Sequence, residues 1–357
     1  MKILQIIPYF CFGGAETLCE NLSYALRNQG HDVVVVSLYN EHTPIARRVE
    51  AAGIKIRYLN KKLGLDLSMV PKLRRIFREE KPDVVHTHLD VIKYATLAAK
   101  LAGVPKCVHT VHNLAEKEAE GRAQKIINST YFRLGWSTPV ALSPEVAQSI
   151  GDFYGRDEKT IPIIGNGIDL SGCQVKDDYS LGNTVNILHV GRFHPQKNHP
   201  GLLRSFRELL KTHENCILNL LGDGDTRKDM EALAQELGIS EKVRFCGVQS
   251  NVYPYFHDAD IFVLPSDYEG MPMTIIEAMA TGLPIAATAV GGVPDMLTDG
   301  DSALLTACDE GAFTDAMARL IEDGALRERL GRQARADSVR FSAEEMARHY
   351  VEIYHNS

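Results

Sequence analysis

The seven cysteines, Cys11, Cys19, Cys107, Cys173, Cys216, Cys246 and Cys308, are odd in number, scattered, and nowhere spaced as CxxC. That pattern argues against a disulfide framework and against a zinc site, and it suits a cytoplasmic protein. No apolar run approaches the roughly eighteen residues that a membrane-spanning helix requires. The opening MKILQIIPYF runs straight into a short apolar strand, without the long apolar core and small-residue cleavage site of a secretory signal. Positive charge is not in excess either, and a formal charge of -7 argues against a general nucleic-acid binder. No GxGxxG follows the first strand, so a nicotinamide cofactor is disfavoured.

What is present is globular. A chain of 357 residues, 45% hydrophobic and 24% charged, has apolar material for two cores and is too long for one ordinary core. Short β-branched runs alternate with amphipathic helical stretches, the signature of parallel α/β layers. KILQII, HDVVVVSL, PDVVHTH, KCVHTVH, PVALS and TIPIIGNG are the expected strands of a first half. TVNILHVGR, NCILNLLGDGD, KVRFCG, ADIFVLPS, PIAATAVGG and SALLT are those of a second. Polar, turn-rich DLSGCQVKDDYSLGN lies between them as a linker. Two Rossmann-like parallel-sheet domains facing across a cleft are expected.

Such folds bind ligands at the carboxyl ends of their strands, which makes the loops there the places to search. In CFGGAE, Gly13 and Gly14 let backbone amides approach a ligand at the start of a helix, an arrangement suited to an anion; a tight turn without a ligand is the plain alternative. VGRFHPQKN places Gly191, Arg192 and Lys197 together, and a guanidinium and an ammonium can jointly hold a diphosphate. In SDYEGMPMTIIEAMATG, Gly270 and Pro272 mark a turn into a helix, so Met271, Met273 and Thr274 offer amides near its start. Glu277, about one turn further in, is placed to accept from ligand hydroxyls. Glu269 and Glu277 could instead be a glycosidase pair, one carboxyl donating a proton and the other attacking or activating water.

Together these motifs resemble the retaining glycosyltransferases of family 4, which have the two-domain GT-B fold. The resemblance covers nearly the whole chain: GGAE, the NGID of Asn166 to Asp169, GRFHPQKN, GDGD, and the E-x7-E stretch EGMPMTIIEAMATGLPIAATAVGG. FSAEEMARHYVEIY resembles the family's terminal helix, which crosses back to the first domain. The implied division is 1–170 plus 341–357 on the acceptor side, a linker 171–183, and a nucleotide-sugar domain 184–340. The family implies that Glu277 holds ribose hydroxyls, that Glu269 lies beside the transferred sugar, and that Arg192 and Lys197 neutralise the departing diphosphate. It implies no divalent metal and no cofactor. His112, in HTVHN, matches the family's active-site histidine; His109 would point to the other face of its strand, and His86 and His88 suit structural roles. Retaining members are described by a front-face mechanism in which the departing phosphate helps deprotonate the acceptor.

The acceptor half is less legible. Between Pro44 and Lys81 cations exceed anions by seven. In MVPKLRRIFREE, Val70, Leu73, Ile76 and Phe77 share one helical face, and Lys72, Arg74, Arg75 and Arg78 fill the remainder. An ordinary docked surface helix explains the stripe. The excess charge suits an anionic membrane, at the inner face of the cell membrane, or a polyprenyl-diphosphate-linked acceptor. The expected activity is transfer of a sugar, from UDP by family habit, onto a glycan or lipid-linked acceptor. The alternatives are a nucleotide-sugar epimerase of the same architecture and a non-catalytic nucleotide-sugar-sensing subunit.

Overall fold

The computed structural model describes residues 1–10, 13–119, 121–249 and 251–355. Cys11 and Phe12 of the first glycine turn, and residues 356 and 357 of the terminal segment, therefore lie outside the described residues. The chain divides into two compact units, one of Met1–Gly167 with Ala343–Ser357 and one of Ile168–Ser342.

The first unit holds a parallel sheet of six strands: β1 (Lys2–Ile7), β2 (Asp32–Ser37), β3 (Lys55–Tyr58), β4 (Val84–His88), β5 (Lys106–Val111) and β6 (Thr138–Ala141), in the order β3-β2-β1-β4-β5-β6. β1, β2, β4 and β5 are almost wholly buried, as strands covered on both faces must be; β1 and β2 read as mostly apolar runs, whereas β4 and β5 carry the buried polar residues His86, Thr87, His88, His109 and Thr110. β3 is not legible in the sequence because KIRY, at the sheet edge and half exposed, carries two cations and no apolar run. TIPIIGNG, expected as a strand, contributes only an isolated bridge of Ile163 to Ala141. Pro162 has no amide to donate to a ladder, and the glycines at 165 and 167 weaken the rest of the run.

The second unit repeats the plan. Its strands β7 (Val185–Val190), β8 (Cys216–Leu221), β9 (Val243–Gly247), β10 (Ile261–Leu264), β11 (Ile285–Thr288) and β12 (Leu304–Thr306) run in the order β12-β11-β10-β7-β8-β9. All six are legible in the sequence. Apolar side chains fill both faces: Ile187, Leu218, Val263 and Phe206 belong to one core, and Leu188, Phe262, Ile276 and Met279 to the other.

Residues 171–183, expected as a linker, pack on the second unit. The Lys176 amide donates to Thr281 O at 2.8 Å, and the Tyr179 hydroxyl donates to Gly282 O at 2.9 Å. The terminal helix Ala343–His355 belongs to the first unit. Its Tyr354 hydroxyl meets His86 Nδ1 at 2.8 Å, and its Tyr350 hydroxyl meets Thr110 Oγ1 at 2.7 Å.

Candidate active site

In each sheet one pair of neighbours marks the point where strand order reverses, and the loops leaving those strands diverge there to open a crevice. In the second unit the pair is β7 and β10. GRFHPQKN leaves β7 and SDYEGMPM leaves β10, so two segments some seventy residues apart meet at one place. Lys197 Nζ lies 2.5 Å from Glu269 Oε1. Glu269 is only 5% exposed. Its carboxylate also accepts from Ser266 Oγ at 2.5 Å and from Gln196 Nε2 at 3.3 Å. Gln196 donates to Tyr268 O at 2.9 Å, and its own carbonyl accepts from the Asp267 amide at 2.9 Å, stitching the two loops together. A buried carboxylate needs such partners, because an unpaired charge out of water is costly. Gln196 and Ser266 sit inside the two motifs, yet no feature of the sequence marks them as partners of Glu269. Lys197 and Arg192, expected to act together, differ in their surroundings: the Arg192 side chain is 67% exposed and its one ion pair among the described residues is with Asp225, at 3.9 Å.

The loop backbone is held by the GDGD turn after β8. The Gly191 amide donates to Leu221 O at 2.9 Å, and the Phe193 amide to Asp223 O at 3.0 Å. Gly222, at φ +134, lies so near that a Cβ there would collide with Gly191 O. Only glycine satisfies both that φ and that approach. A Cβ at Gly191 would fall 2.9 Å from His189 Nε2.

SDYEGMPM ends in the helix Met273–Thr281, which starts at Pro272 without a side-chain cap. At such a start the amides of Met273 and Thr274 have no intrahelical acceptor, and they face outward with the positive end of the helix dipole. Gly270, Met271 and Pro272 form the turn that sets this helix start. Glu277 lies one turn in and is 9% exposed. No hydrogen-bond donor among the described residues reaches its carboxyl group, and burial alone pushes its pKa up to about 8. Glu269 and Glu277 thus differ sharply: one is paired with a lysine, and the other has no hydrogen-bond partner for its carboxyl group among the described residues. A glycosidase acid and base would instead flank a shared bond.

In the first unit the reversal lies between β1 and β4. His112 directly follows β5 and is partly exposed. Its Nε2 meets His88 Nδ1 at 3.0 Å, and His88 Nε2 meets Gln5 Oε1 at 2.7 Å. An amide oxygen only accepts, so with Gln5 so placed His88 carries its proton on Nε2 and accepts from His112 at Nδ1. The His112 Nδ1 is then left as an acceptor. Burial lowers the His112 pKa to about 4, with Glu118 opposing, so the ring is neutral at physiological pH. Burial also holds His88 well below its usual range. Glu118, on the short helix Ala115–Glu118, accepts from the His112 amide at 2.6 Å and meets His109 Nε2 at 3.2 Å. His109 lies on the strand's other face, as the alternation of strand side chains requires, and is tied to Thr87 Oγ1 at 2.9 Å. His88 and Glu118 position His112. Nothing in their sequence spacing marks either one.

Gly13 caps the helix Gly14–Asn28 in an extended conformation, and Gly14 is its first residue. Buried Glu16 folds back on this turn, its carboxylate oxygen 2.5 Å from where a Gly13 Cβ would lie. The helix start expected to receive an anion therefore already faces a carboxylate of the chain itself.

Among the described residues no three metal-ligating side chains form a group, no disulfide forms, and no helix is long and apolar enough to cross a membrane. Two six-stranded parallel sheets in succession, each with one point where strand order reverses, are the architecture of a GT-B fold. Residues 12–171 match the family model described as Glycosyltransferase Family 4, and residues 179–337 match the model Glycosyl transferases group 1. The chain belongs to glycosyltransferase family 4 and is a glycosyltransferase. It is 28% identical over 357 residues to the lipopolysaccharide core biosynthesis glycosyltransferase LpsE of Rhizobium meliloti, covering 97% of this chain and 98% of that protein. It is 29% identical over 279 residues to the UDP-Gal:alpha-D-GlcNAc-diphosphoundecaprenol alpha-1,3-galactosyltransferase of Escherichia coli, covering 73% and 72%. The fold is shared with Anabaena HepE, solved in complex with UDP and glucose, at a TM-score of 0.88, 18% identity and full coverage of both chains.

Proposed function

We propose that the chain moves a sugar from a UDP-sugar, with retention of anomeric configuration and without a metal, onto a glycan or lipid-linked acceptor at the inner face of the cell membrane. The observation that carries this reading is Glu277, a buried carboxyl group one turn into an uncapped helix, with no donor of its own among the described residues. Two vicinal ribose hydroxyls are donors of the right number and direction, and ionised Glu277 would accept both. Arg192 and Lys197 would meet the diphosphate, with the amides of Met273 and Thr274 adding fixed dipoles where negative charge develops as the glycosidic bond breaks. Glu269 would hold Lys197 in place beside the transferred sugar. His112, neutral, would contact that sugar, and the departing phosphate would help take the acceptor's proton. Gly13 and Gly14 would let their turn approach the donor closely. The names of the relatives support a UDP donor and a glycan or diphosphoundecaprenol-linked acceptor.

A thermal-shift screen against nucleotide-sugars tests the donor, because a ligand that binds only the folded state raises its apparent stability. UDP-sugars should raise the midpoint; no shift with any of them would overturn the donor reading. Product NMR with the responding donor then reads the anomeric outcome. An epimerised nucleotide-sugar in place of a glycoside would overturn the proposed transfer to an acceptor.

A further inference from the structure

The segment 61–68, between β3 and the helix Met69–Glu80, turns its polar groups inward and its apolar ones out. Asp66 is buried, and its carboxylate accepts from the Lys62 amide at 3.0 Å, the Ser68 amide at 3.1 Å and Ser68 Oγ at 2.6 Å. The Asp66 amide donates to the Tyr94 hydroxyl at 3.1 Å. Lys61 Nζ donates to the Tyr39 hydroxyl at 3.0 Å, to Lys62 O at 2.9 Å and to Gly64 O at 2.6 Å. With these groups anchored, Leu63, Leu65 and Leu67 stand 91%, 72% and 70% exposed. A single exposed leucine is ordinary. Three at alternate positions, held out by a buried aspartate, form a built apolar edge.

With Asp66 buried, the exposed charge beside them is mainly positive. Lys62 flanks the leucines, and Lys72, Arg74 and Arg78 follow on the helix; none of these four has a carboxylate within ion-pair distance among the described residues. Arg75 differs, being paired with Glu79 at 2.8 Å. Pro71, Arg74, Arg75, Arg78 and Glu79 line an open hollow of about 290 Å³. Projecting leucines with cations alongside match an anionic lipid surface, where the side chains enter the acyl boundary and the cations meet the headgroups.

We infer that the segment 61–68 inserts Leu63, Leu65 and Leu67 into an anionic bilayer, with the basic face of the following helix lying on the headgroups. This rests on the proposed membrane-side acceptor and adds an apolar anchor that charge alone does not supply. Headgroup attraction fades with salt, whereas apolar insertion persists.

Co-sedimentation with phosphatidylcholine vesicles, with and without phosphatidylglycerol, at low and high salt is the test. The wild type should bind the phosphatidylglycerol vesicles and keep a bound fraction at high salt. The triple variant Leu63→Ser, Leu65→Ser, Leu67→Ser should lose that fraction and bind at least about tenfold more weakly at low salt. The variant Lys72→Gln, Arg74→Gln, Arg75→Gln, Arg78→Gln should lose the salt-sensitive part. In Leu65→Trp, emission beyond the baseline of the lone Trp136 should shift to the blue on these vesicles. Equal partition of the triple variant and the wild type, or no shift in Leu65→Trp, overturns the inference. So does a wild-type dimer in gel filtration that the triple variant abolishes without any vesicle binding, which would make a second copy the occupant. UDP calorimetry on the same proteins separates the two readings: vesicle binding without UDP binding would sink the donor reading and leave this one standing.

Discussion

Lys197 Nζ and Glu269 Oε1 lie 2.5 Å apart, joining the loop after β7 to the loop after β10. The lysine proposed to meet the diphosphate is therefore held by a carboxylate, aimed rather than loose. Lys197→Ala should lower turnover by on the order of a hundredfold, as loss of one charge-stabilising group does. It should also lower the melting temperature, since Glu269 would keep only Ser266 and Gln196 as partners. Steady-state kinetics with the donor identified by the screen checks the first effect, and near-wild-type turnover would remove Lys197 from the mechanism. Arg192→Ala, at an exposed side chain, should weaken donor binding while leaving the melting temperature unchanged.

Glu277 has its folded-state pKa raised to about 8 from a usual value near 4.5. The folded protein therefore holds a proton there that the unfolded chain has lost, and this contribution to stability declines as pH rises from about 4.5 to about 8. Glu277→Gln should abolish that decline. If ribose hydroxyls bind the ionised carboxylate, UDP binding at pH 7 releases a proton, and the calorimetric enthalpy depends on the buffer's ionisation enthalpy. The variant should bind UDP more weakly, lose the buffer dependence, and no longer distinguish UDP from its 2'-deoxy analogue. Equal binding of both nucleotides by both proteins would show the ribose assignment to be wrong.

The buried histidines pull the other way. His86 and His88 are lowered well below their usual value, and His112, His189 and His199 to about 4, 4 and 2, in each case chiefly by burial. The unfolded chain binds protons at these sites below about pH 6.5 while the folded one does not, so their contribution to stability is lost as pH falls. The melting temperature should drop steeply between pH 6.5 and pH 5, opposite in sign to Glu277. His112→Ala should lower turnover by the same factor on either side of pH 6.5, because the ring is neutral at both. A loss confined to one side would contradict that.

Gly222→Ala places a methyl group against Gly191 O at a φ of +134. The backbone strain costs roughly 1–3 kcal/mol before the overlap is counted, and relief of that overlap displaces the loop carrying Arg192 and Lys197. Thermal unfolding and UDP titration should both show the damage. Gly238→Ala, at φ +71 with open space around it, should lower stability modestly and leave UDP binding intact.

Sequence alone determined the two αβ repeats, because short β-branched or apolar runs alternate with amphipathic helical stretches, and eleven of the twelve strands fall within such runs. It also marked the candidate positions, since Gly191, Lys197, Glu269 and His112 fall in loops at strand carboxyl ends and Glu277 one turn into the helix that follows such a loop. It missed edge strand β3, whose half-exposed charged residues leave no apolar run, and it suggested a strand over 160–167, where Pro162 denies the ladder a donor. Tertiary structure alone decided the partners. Pairing β7 with β10 brings Lys197 to Glu269 across some seventy residues, and pairing β4 with β5 sets His88 against His112. The same is true of the contrast between the two glutamates and of the outward leucines at 63, 65 and 67. A residue's type sets which bonds it can make, but burial and the distance to a partner far along the chain set its charge and the direction it faces, and those exist only once the chain has folded.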